Sequence, residues 1–480
     1  MASQPQNFDP ITGLKPSENC AVVGYYGTSG AFDKLYVSLR TLQHRGQEAS
    51  GVAIFDGRRV NLLKVDGYVF EGFRPYIESG QVPQGNTGIG HNRYSTAGQK
   101  NLTGAGPFLI STSNGDMALA HNGEIVNHNA LREELKEKGV PFLTKTDTEV
   151  MLNIIAREMK LKGTRAGLRS SMDILKGSYS AILLVQGKMY ALRDPMGFRP
   201  LILGKVGNDY IVASESSAID VLGGTIIRDV DPGEVIEFMD GTYTSLIKNP
   251  SPRLSHCMFE WVYFARPDSI IDKQEVYDAR LKMGMELAKE FPVTADIVIP
   301  VPDSGRTQAL GYALQSGIEY SEGLFKNRYS ERTFIMPGEN NRDTAIKIKL
   351  NPIKSVVEGK RIVLVDDSIV RGTTMKRIVG ILRNAGATEV HVRIGAPPII
   401  SPCYFGIDMK TRDQFIALNK SMEEVAQIIG ADSVAYLSMN GLMKGIGMTE
   451  RELCLGCLTA RYPIKVEGEL EVRQATLDQA

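Results

Sequence analysis

The sequence lacks long apolar runs and an excess of charge of either sign. No apolar stretch approaches the roughly 20 residues needed to span a bilayer, and residues 1–19 lack the basic start and hydrophobic centre of a secretory signal. These absences predict no membrane partner and a cytoplasmic location. Lysine plus arginine balance aspartate plus glutamate at 55 each, so no global field favours nucleic acid and any anion site must be local.

Cysteine is also scarce, with five residues in a chain of 480. In a reduced compartment so few thiols indicate catalysis or metal binding before disulfides. One of them, Cys20, opens the strand-like run CAVVGYYG, and the other four lie in the second half of the chain.

What is present is the composition of a globular protein of two or three domains. Short strands dominate residues 20–246, for example 181–185 and 202–211 with its internal turn, and helices are inserted near 130–138 and 148–159. This pattern predicts an α+β layered domain. The proline-containing stretch 248–255 marks a boundary. Over residues 257–450 apolar strands at 295–300, 361–365 and 389–394 alternate with helical stretches, which predicts a doubly wound parallel α/β sheet. Residues 1–19 then form a leader, and residues 451–480 form a tail.

Cys20 is a candidate N-terminal nucleophile. Once residues 1–19 are removed, its own α-amine, whose pKa in unstructured peptides is roughly 7.7 to 8.0, can take the proton from its thiol. The leader is then a propeptide. The alternative for a lone cysteine is a small buried hydrophobe at a strand start.

Four polar clusters follow Cys20: LQHRGQEASG, GHNRYSTAG, AHNGEIVN and TDTEV. The side-chain amide of Asn122 and the backbone N–H of Gly123 can stabilise the tetrahedral oxyanion that forms when a carboxamide is attacked. Arg93 can bind an α-carboxylate bidentately, and Asp147 can accept hydrogen bonds from an α-ammonium. Routine surface contacts for Arg93 and a helix cap for Asp147 are the alternatives.

Together these segments resemble the class II, or N-terminal nucleophile, glutamine amidotransferases, which have an αββα fold. The resemblance implies that Cys20 is the nucleophile, that Asn122 and Gly123 form the oxyanion hole, and that the glutamine site contains Arg93, Thr96 and Asp147.

A second motif, RIVLVDDSIVRGTT at residues 361–374, reads as a strand ending in two carboxylates and then a turn that opens a helix. A ligand is expected at that end of a parallel sheet. Asp366 and Asp367 suit ribose hydroxyls, and the turn and helix N-terminus can hold a 5′-phosphate through Ser368, Arg371, Gly372, Thr373 and Thr374. The alternative is an acidic strand end that merely caps a turn.

This motif resembles the phosphoribosyl pyrophosphate (PRPP) motif of type I phosphoribosyltransferases. The resemblance implicates Ser304, in the loop PVPDSGRT, beside pyrophosphate, with Mg²⁺ held by Ser304, Asp366 and Asp367. The basic stretch 326–350 fits a lid, in which Arg332 and Lys349 are the best pyrophosphate contacts. A solvated basic loop is the alternative.

The order of the two domains resembles the family of glutamine PRPP amidotransferases over nearly the whole chain. The resemblance implies that glutamine, PRPP and water give 5-phosphoribosylamine, glutamate and pyrophosphate, the first committed step of purine synthesis. Ammonia would pass from the Cys20 site to the PRPP site. A homotetramer and feedback inhibition by purine nucleotides are implied as well.

The other four cysteines supply the number of thiolates that a [4Fe-4S] cluster or a Cys₄ zinc site requires. They are Cys257, Cys403, Cys454 and Cys457. Their spacing does not choose between the two metals, but resemblance to the cluster-bearing branch of the family favours iron and sulfur. Four unrelated buried thiols are the remaining alternative.

Two other functions fit parts of the pattern. A different class II amidotransferase, such as a sugar-phosphate aminotransferase or an asparagine synthetase, does not account for DDSIVRGTT. A regulatory or RNA-binding protein built on an inactive phosphoribosyltransferase scaffold is disfavoured by the neutral charge and the intact set of candidate catalytic residues. Pyrophosphate release that requires both glutamine and PRPP separates these functions.

Overall fold

The structure is a computed structural model that describes residues 20–28, 30–94, 102–113, 115–327, 350–409 and 412–466. The predicted leader 1–19 and the predicted site residues Thr96, Arg332 and Lys349 lie outside the described residues. Within these ranges no helix has both the length and the apolar character needed to cross a membrane.

The first part of the chain consists of short strands with a few helices between them. Its strands are β1 (Ala21–Tyr26), β2 (Ala49–Phe55), β3 (Val60–Asp66), β4 (Thr87–Arg93), β5 (Phe108–Thr112), β6 (Gly115–Ile125), β7 (Gly177–Val185), β8 (Lys188–Arg193), β9 (Ile202–Val206), β10 (Asp209–Ala213), β11 (Thr225–Asp229), β12 (Glu234–Met239) and β13 (Thr242–Lys248). Its helices are α1 (Ala31–Thr41), α2 (Val69–Glu78), α3 (His128–Glu137), α4 (Asp147–Lys162), α5 (Thr164–Ile174) and α6 (Ser217–Asp220).

These strands form two stacked antiparallel sheets, with the orders β11-β9-β10-β1-β4-β2-β3 and β13-β12-β8-β7-β6-β5. Because side chains alternate along a strand, Val22 of β1 packs between the sheets while Val23 packs with residues of α1 and α2. A third core lies between the second sheet and the helices α3 to α5. The predicted αββα layering is therefore confirmed.

The second part alternates strands and helices. Its strands are β14 (His256–Cys257), β15 (Ile270–Ile271), β16 (Gln274–Glu275), β17 (Ile297–Pro300), β18 (Glu319–Tyr320), β19 (Leu324–Lys326), β20 (Leu350–Pro352), β21 (Arg361–Asp366), β22 (Glu389–Ile394), β23 (Ser433–Tyr436) and β24 (Leu453–Cys454). Its helices are α7 (Val276–Glu290), α8 (Arg306–Ser316), α9 (Lys354–Val357), α10 (Thr373–Asn384), α11 (Met422–Ile429), α12 (Met439–Ile446) and α13 (Gly456–Thr459).

A parallel sheet of order β18-β17-β21-β22-β23 forms the centre of this part. One face packs against α7, α8 and α12, and the other face packs against α10 and α11. Because both faces are covered, β21 is buried at every position after its first residue. The predicted doubly wound sheet is confirmed, and β21, which ends at Asp366, lies in its middle.

Candidate active site

Cys20 lies directly before β1 at the edge of a cavity of about 310 Å³. Its Sγ is 3.9 Å from the backbone carbonyl oxygen of Tyr94, and its own carbonyl accepts a hydrogen bond from Nε of Arg45 at 3.3 Å. A cavity of this size suits a small ligand.

The cavity collects predicted residues from four separate segments: Cys20, Arg93, Asn122, Gly123 and Asp147. Arg93 ends β4, and its guanidinium packs on Gly104, where a Cβ would come within 2.6 Å of Nη1. Asp147 is the first residue of α4, and its Oδ2 accepts a hydrogen bond from the N–H of Ile125 at 2.9 Å. Asp147 is thus tied to β6 and does not cap its own helix.

Asn122 and Gly123 are neighbours in β6. The side-chain nitrogen of Asn122 is buried and has no hydrogen-bond partner in the part of the chain that the structure describes. A buried unpaired donor is costly, which favours a position where a ligand can accept the bond. Gly123 has a φ of 147°, and a Cβ there would lie 2.0 Å from the carbonyl oxygen of Ser178, so the strand requires glycine at this point.

Burial raises the pKa of the Cys20 thiol above its ordinary value. The positive charges of Arg93 and Arg45 oppose this effect, whereas the carboxylate of Asp147 adds to it. The thiol is therefore protonated at neutral pH, and a base has to take its proton before it can act as a nucleophile.

The two aspartates at the carboxyl end of β21, Asp366 and Asp367, are buried, and each accepts a hydrogen bond from the residue that follows it. Oδ1 of Asp366 accepts from the N–H of Asp367 at 2.9 Å, and Oδ1 of Asp367 accepts from the hydroxyl of Ser368 at 2.6 Å. A Cβ on Gly305 would lie 3.3 Å from Cα of Asp366. The loop that carries Ser304 therefore lies against the end of β21, next to the aspartates.

The turn after the aspartates leads directly into α10. Gly372 caps the N-terminus of α10 with a φ of 75°, a left-handed conformation that favours glycine. The hydroxyl of Thr374 is buried and unpaired among the described residues, and Arg371 is hydrogen-bonded to Gln414. The N–H groups at a helix N-terminus together with an unpaired hydroxyl are the kind of donors that an anion needs.

The four remaining cysteines meet at the junction of the two parts. β14 pairs in parallel with β24, which sets Cys257 opposite Cys454. The N–H of Ser401 donates to the carbonyl of Cys457 at 3.1 Å, which brings the segment of Cys403 to the same place. Burial is the main reason that the pKa of the Cys457 thiol is raised well above its ordinary value, and the other three thiols add to this effect. Even so, no group of three or more histidine, cysteine or acidic side chains within the described ranges is arranged to hold a metal ion.

A buried ion network links Cys20 to the second part of the chain. Arg45, which also contacts the Cys20 carbonyl, donates from Nη1 to Glu215 at 2.7 Å and to Glu260 at 2.9 Å. Arg199 donates to the same Glu260 at 3.1 Å. Buried charges persist when they are paired in this way, because an isolated one would be strongly destabilising.

Comparison with known proteins agrees with this division of the chain. Residues 91–221 match the glutamine amidotransferase domain family, and residues 270–394 match the phosphoribosyl transferase domain family. The amidophosphoribosyltransferase of Methanothermobacter thermautotrophicus is 46% identical over 462 residues, covering 95% of this chain and 97% of that protein. The chain belongs to the amidophosphoribosyltransferase family. The family's enzyme from Bacillus subtilis is 43% identical over 463 residues, covering 95% of this chain and 96% of that protein.

Two solved structures of family members match closely. One is described as the allosteric regulatory enzyme of purine biosynthesis, with a TM-score of 0.88 at 43% identity over 94% of this chain and 98% of that chain. The other is the B. subtilis glutamine PRPP amidotransferase complexed with ADP and GMP, with a TM-score of 0.87 at the same identity and coverage. Family membership confirms the predicted activity, glutamine-dependent amidotransfer to PRPP in purine biosynthesis.

Some residues at the sites of this family member were missed by sequence reasoning. Arg45 lies in the quoted segment LQHRGQEASG, but its buried ion pairs are with residues far away in the sequence. His91 lines the cavity, where burial lowers its pKa to about 3 and keeps the ring neutral. Ser178 and Gly406 carry no local signal, because each is a single small residue whose partner is distant in sequence. Beside Ser304, Lys326 pairs with Asp303 at 2.9 Å, an ion pair that the sequence pattern did not predict.

Proposed function

We propose that the cavity around Cys20 is the glutaminase site of this transferase and that the turn after β21 is its PRPP site, with ammonia passing from the first to the second. The observation that carries the proposal is the convergence of Cys20, Arg93, Asn122, Gly123 and Asp147 on one cavity. These side chains match the needs of a reaction on a free amino acid: a nucleophile, an oxyanion donor and partners for both charged ends.

In the first site the free α-amine of Cys20, exposed when residues 1–19 are removed, takes the thiol proton. The thiolate attacks the carboxamide carbon of glutamine, and the resulting oxyanion accepts hydrogen bonds from Asn122 and the N–H of Gly123. As this intermediate collapses, the α-ammonium of Cys20 returns the proton to the leaving nitrogen, so that a thioester forms and neutral ammonia departs. Water then hydrolyses the thioester to release glutamate. Arg93, Thr96 and Asp147 hold the amino-acid end throughout.

In the second site the 5′-phosphate binds at Ser368, Arg371, Gly372, Thr373 and Thr374. Asp366 and Asp367 accept hydrogen bonds from the ribose hydroxyls, while Ser304, Arg332 and Lys349 contact the pyrophosphate. Ammonia attacks C1 as the bond to pyrophosphate breaks, so the protein's work is to position the reactants and to neutralise the leaving charge.

Mg²⁺ belongs to this second site in the proposal. The carboxylates of Asp366 and Asp367 and the hydroxyl of Ser304 are oxygen ligands of the kind it prefers, and they lie at one strand end. When bound with PRPP, the ion neutralises charge on the leaving pyrophosphate.

We further propose that Cys257, Cys403, Cys454 and Cys457 hold a [4Fe-4S] cluster, with zinc as the alternative. The support is the donor set and its placement, since β14 sets Cys257 opposite Cys454, and Ser401, two residues before Cys403 in the chain, donates its N–H to the carbonyl of Cys457. Bound metal would join the tail to the junction and stabilise the fold.

Purine nucleotides are proposed as inhibitors, on the support of the solved B. subtilis relative with ADP and GMP. The homotetramer and the cytoplasmic location stay predictions from the sequence.

The proposal is tested with Cys20→Ala. Production of 5-phosphoribosylamine from glutamine should fall at least about a hundredfold, since the nucleophile is lost. The rate with a high concentration of free ammonia should be retained, because PRPP binds in the other domain. Steady-state rates with each nitrogen source, measured as pyrophosphate release, give the answer.

The ammonia-dependent rate of the same variant is the internal control, and the intact mass of the active wild-type protein shows whether it begins at Cys20. A folded Cys20→Ala protein that lost both activities equally would contradict the assignment of two separate sites.

A further inference from the structure

The second domain forms part of the wall of the Cys20 cavity, behind Gly123, the proposed oxyanion donor. Gly406, which lies between β22 and α11, lines the same cavity as Cys20 and Asn122. A Cβ on Gly406 would lie 3.0 Å from the carbonyl carbon of Gly123 and 3.2 Å from its oxygen. The backbones of the two domains are therefore in direct contact at Gly123, as closely as glycine allows.

Ser178 on β7 joins the same two backbones by hydrogen bonds. Its side chain is fully buried. The hydroxyl accepts from the N–H of Glu124 at 3.1 Å and donates to the carbonyl of Phe405 at 2.9 Å, across 227 positions of sequence. A hydroxyl has one hydrogen to donate and also has lone pairs that accept, so it can make both bonds at the same time. It connects the peptide that follows Gly123 to the residue that precedes Gly406.

Phe405 is held from a second direction as well. Its carbonyl also accepts from Nη2 of Arg199 at 2.5 Å, and its ring stacks on Phe198 with centroids 4.5 Å apart. The loop would consequently keep its place without the Ser178 hydroxyl. The N–H of Glu124, by contrast, would lose its hydrogen bond to this hydroxyl, directly beside Gly123.

We infer that Ser178 and Gly406 are positioning residues that hold the Gly123 end of the oxyanion hole, so that glutamine hydrolysis in the first domain depends on a wall supplied by the second. The inference rests on the proposed role of Asn122 and Gly123. Oxyanion donors act only within a narrow range of distance. A small shift of the Gly123 peptide therefore weakens the hydrogen bonds that stabilise the transition state. Binding of the amino-acid end by Arg93 and Asp147, which lie in other segments, is retained.

Ser178→Ala is the first test. The kcat with glutamine should fall about tenfold, a fraction of the loss caused by removing a whole oxyanion donor. The KM for glutamine should change by less than about twofold, and the ammonia-dependent rate should be unchanged, since neither depends on the oxyanion hole.

A transition-state analogue gives a readout that a merely structural role would not move. The γ-aldehyde analogue of glutamine adds the Cys20 thiol at its carbonyl carbon, and the oxygen of this adduct occupies the oxyanion hole. Its inhibition constant should weaken by the same factor as kcat, while the KM for glutamine does not follow.

Matched variants separate position from stability. Ser171 is equally buried in the same domain and donates to the carbonyl of Gly167 at 2.8 Å, so Ser171→Ala removes one comparable hydrogen bond far from Gly123. Gly406→Ala should reproduce the kcat loss. Gly430 also has a positive φ, 76°, but nothing lies within 4 Å of a Cβ there, and Gly430→Ala should leave kcat unchanged.

Asn122→Ala distinguishes this inference from the proposed function. If Asn122→Ala weakens binding of the aldehyde analogue while Ser178→Ala and Gly406→Ala leave its inhibition constant unchanged, the positioning role is wrong. The oxyanion role of Asn122 is then still supported. An aldehyde affinity that Asn122→Ala also leaves unchanged overturns the oxyanion role itself. Equal loss of glutamine- and ammonia-dependent rates in Ser178→Ala also overturns the inference.

Discussion

At the scale of single residues, buried polar groups without partners occur in both proposed sites. Within the described residues, Nδ2 of Asn122 and the hydroxyl of Thr374 are of this kind. Such groups are uncommon because each costs free energy of folding. They are not a signal on their own, since Nε1 of Trp261 and the hydroxyl of Tyr436 are also unpaired in the interior. They indicate a ligand only where the sequence motif already predicts one.

Asp366→Asn tests the ribose assignment at this scale. Hydrogen bonds to a charged group contribute about 1.5 to 3 kcal/mol, so we expect the KM for PRPP to rise about tenfold or more. Turnover should fall with both glutamine and ammonia, because both reactions use PRPP. Initial rates with PRPP varied measure the effect.

The matched control is Asp296→Asn. Asp296 precedes β17 at the opposite end of the same sheet, where it pairs with Arg361 at 2.8 Å. This variant should leave the KM for PRPP unchanged. An unchanged KM in Asp366→Asn as well would remove that carboxylate from the PRPP site.

At the scale of elements, the sequence predicted the strands and helices well where the pattern was local. β21 and β22 were predicted within one residue of their observed ends. The run 202–211 is a hairpin of β9 and β10, as its internal turn indicated, although β10 continues to Ala213. The helix predicted at 148–159 extends from Asp147 to Lys162. The prediction ended too early because the last turn of the helix is mostly polar and does not continue the apolar periodicity.

Gly372→Ala tests the turn that opens α10. Alanine is strained at a φ of 75°, and its Cβ would lie 2.2 Å from Cδ1 of Ile416, so the turn must shift. We expect a loss of about 1 to 2 kcal/mol in the free energy of unfolding and a clear rise in the KM for PRPP. Denaturant unfolding and PRPP kinetics measure the two effects.

Gly380, in the same helix, provides the control. Nothing lies within 4 Å of a Cβ there, so Gly380→Ala should stabilise the helix by up to about 1 kcal/mol without changing the KM for PRPP. A Gly372→Ala protein with normal PRPP kinetics would contradict the proposed phosphate site.

At the scale of the whole molecule, the structure depends on contacts that no local pattern announces. The hydrogen bond from Ser178 to Phe405 and the ion pair of Arg45 with Glu260 each join the two domains. Periodicity and turn signals report on neighbours along the chain, so they predicted the two folds. The motifs predicted five of the residues that line the cavity, but neither signal predicted the wall that the second domain supplies. The role of Gly406 follows only from its distance to Gly123.

The cysteines at the junction give the prediction for the whole molecule. β14 and β24 pair through two residues each, a short ladder for holding a tail to a segment far back in the sequence. A cluster bound by Cys257, Cys403, Cys454 and Cys457 would add metal bonds between the tail and this earlier segment. Such a crosslink stabilises a fold most when the segments that it joins are far apart in the sequence. Anaerobically purified protein should therefore be brown and contain about four irons per chain.

Cys457→Ser should give colourless protein with less than about one iron per chain and a lowered melting temperature, because one of four ligands is lost, and this ligand is buried. Cys20→Ala is the matched control: it removes the fifth thiol, which lies in the glutaminase cavity, and should keep both the iron and the colour. Iron analysis, the visible spectrum and thermal unfolding of the two variants decide the matter. Zinc in place of iron would select the alternative metal, and wild-type protein whose four junction thiols all react freely with a maleimide would overturn the metal site altogether.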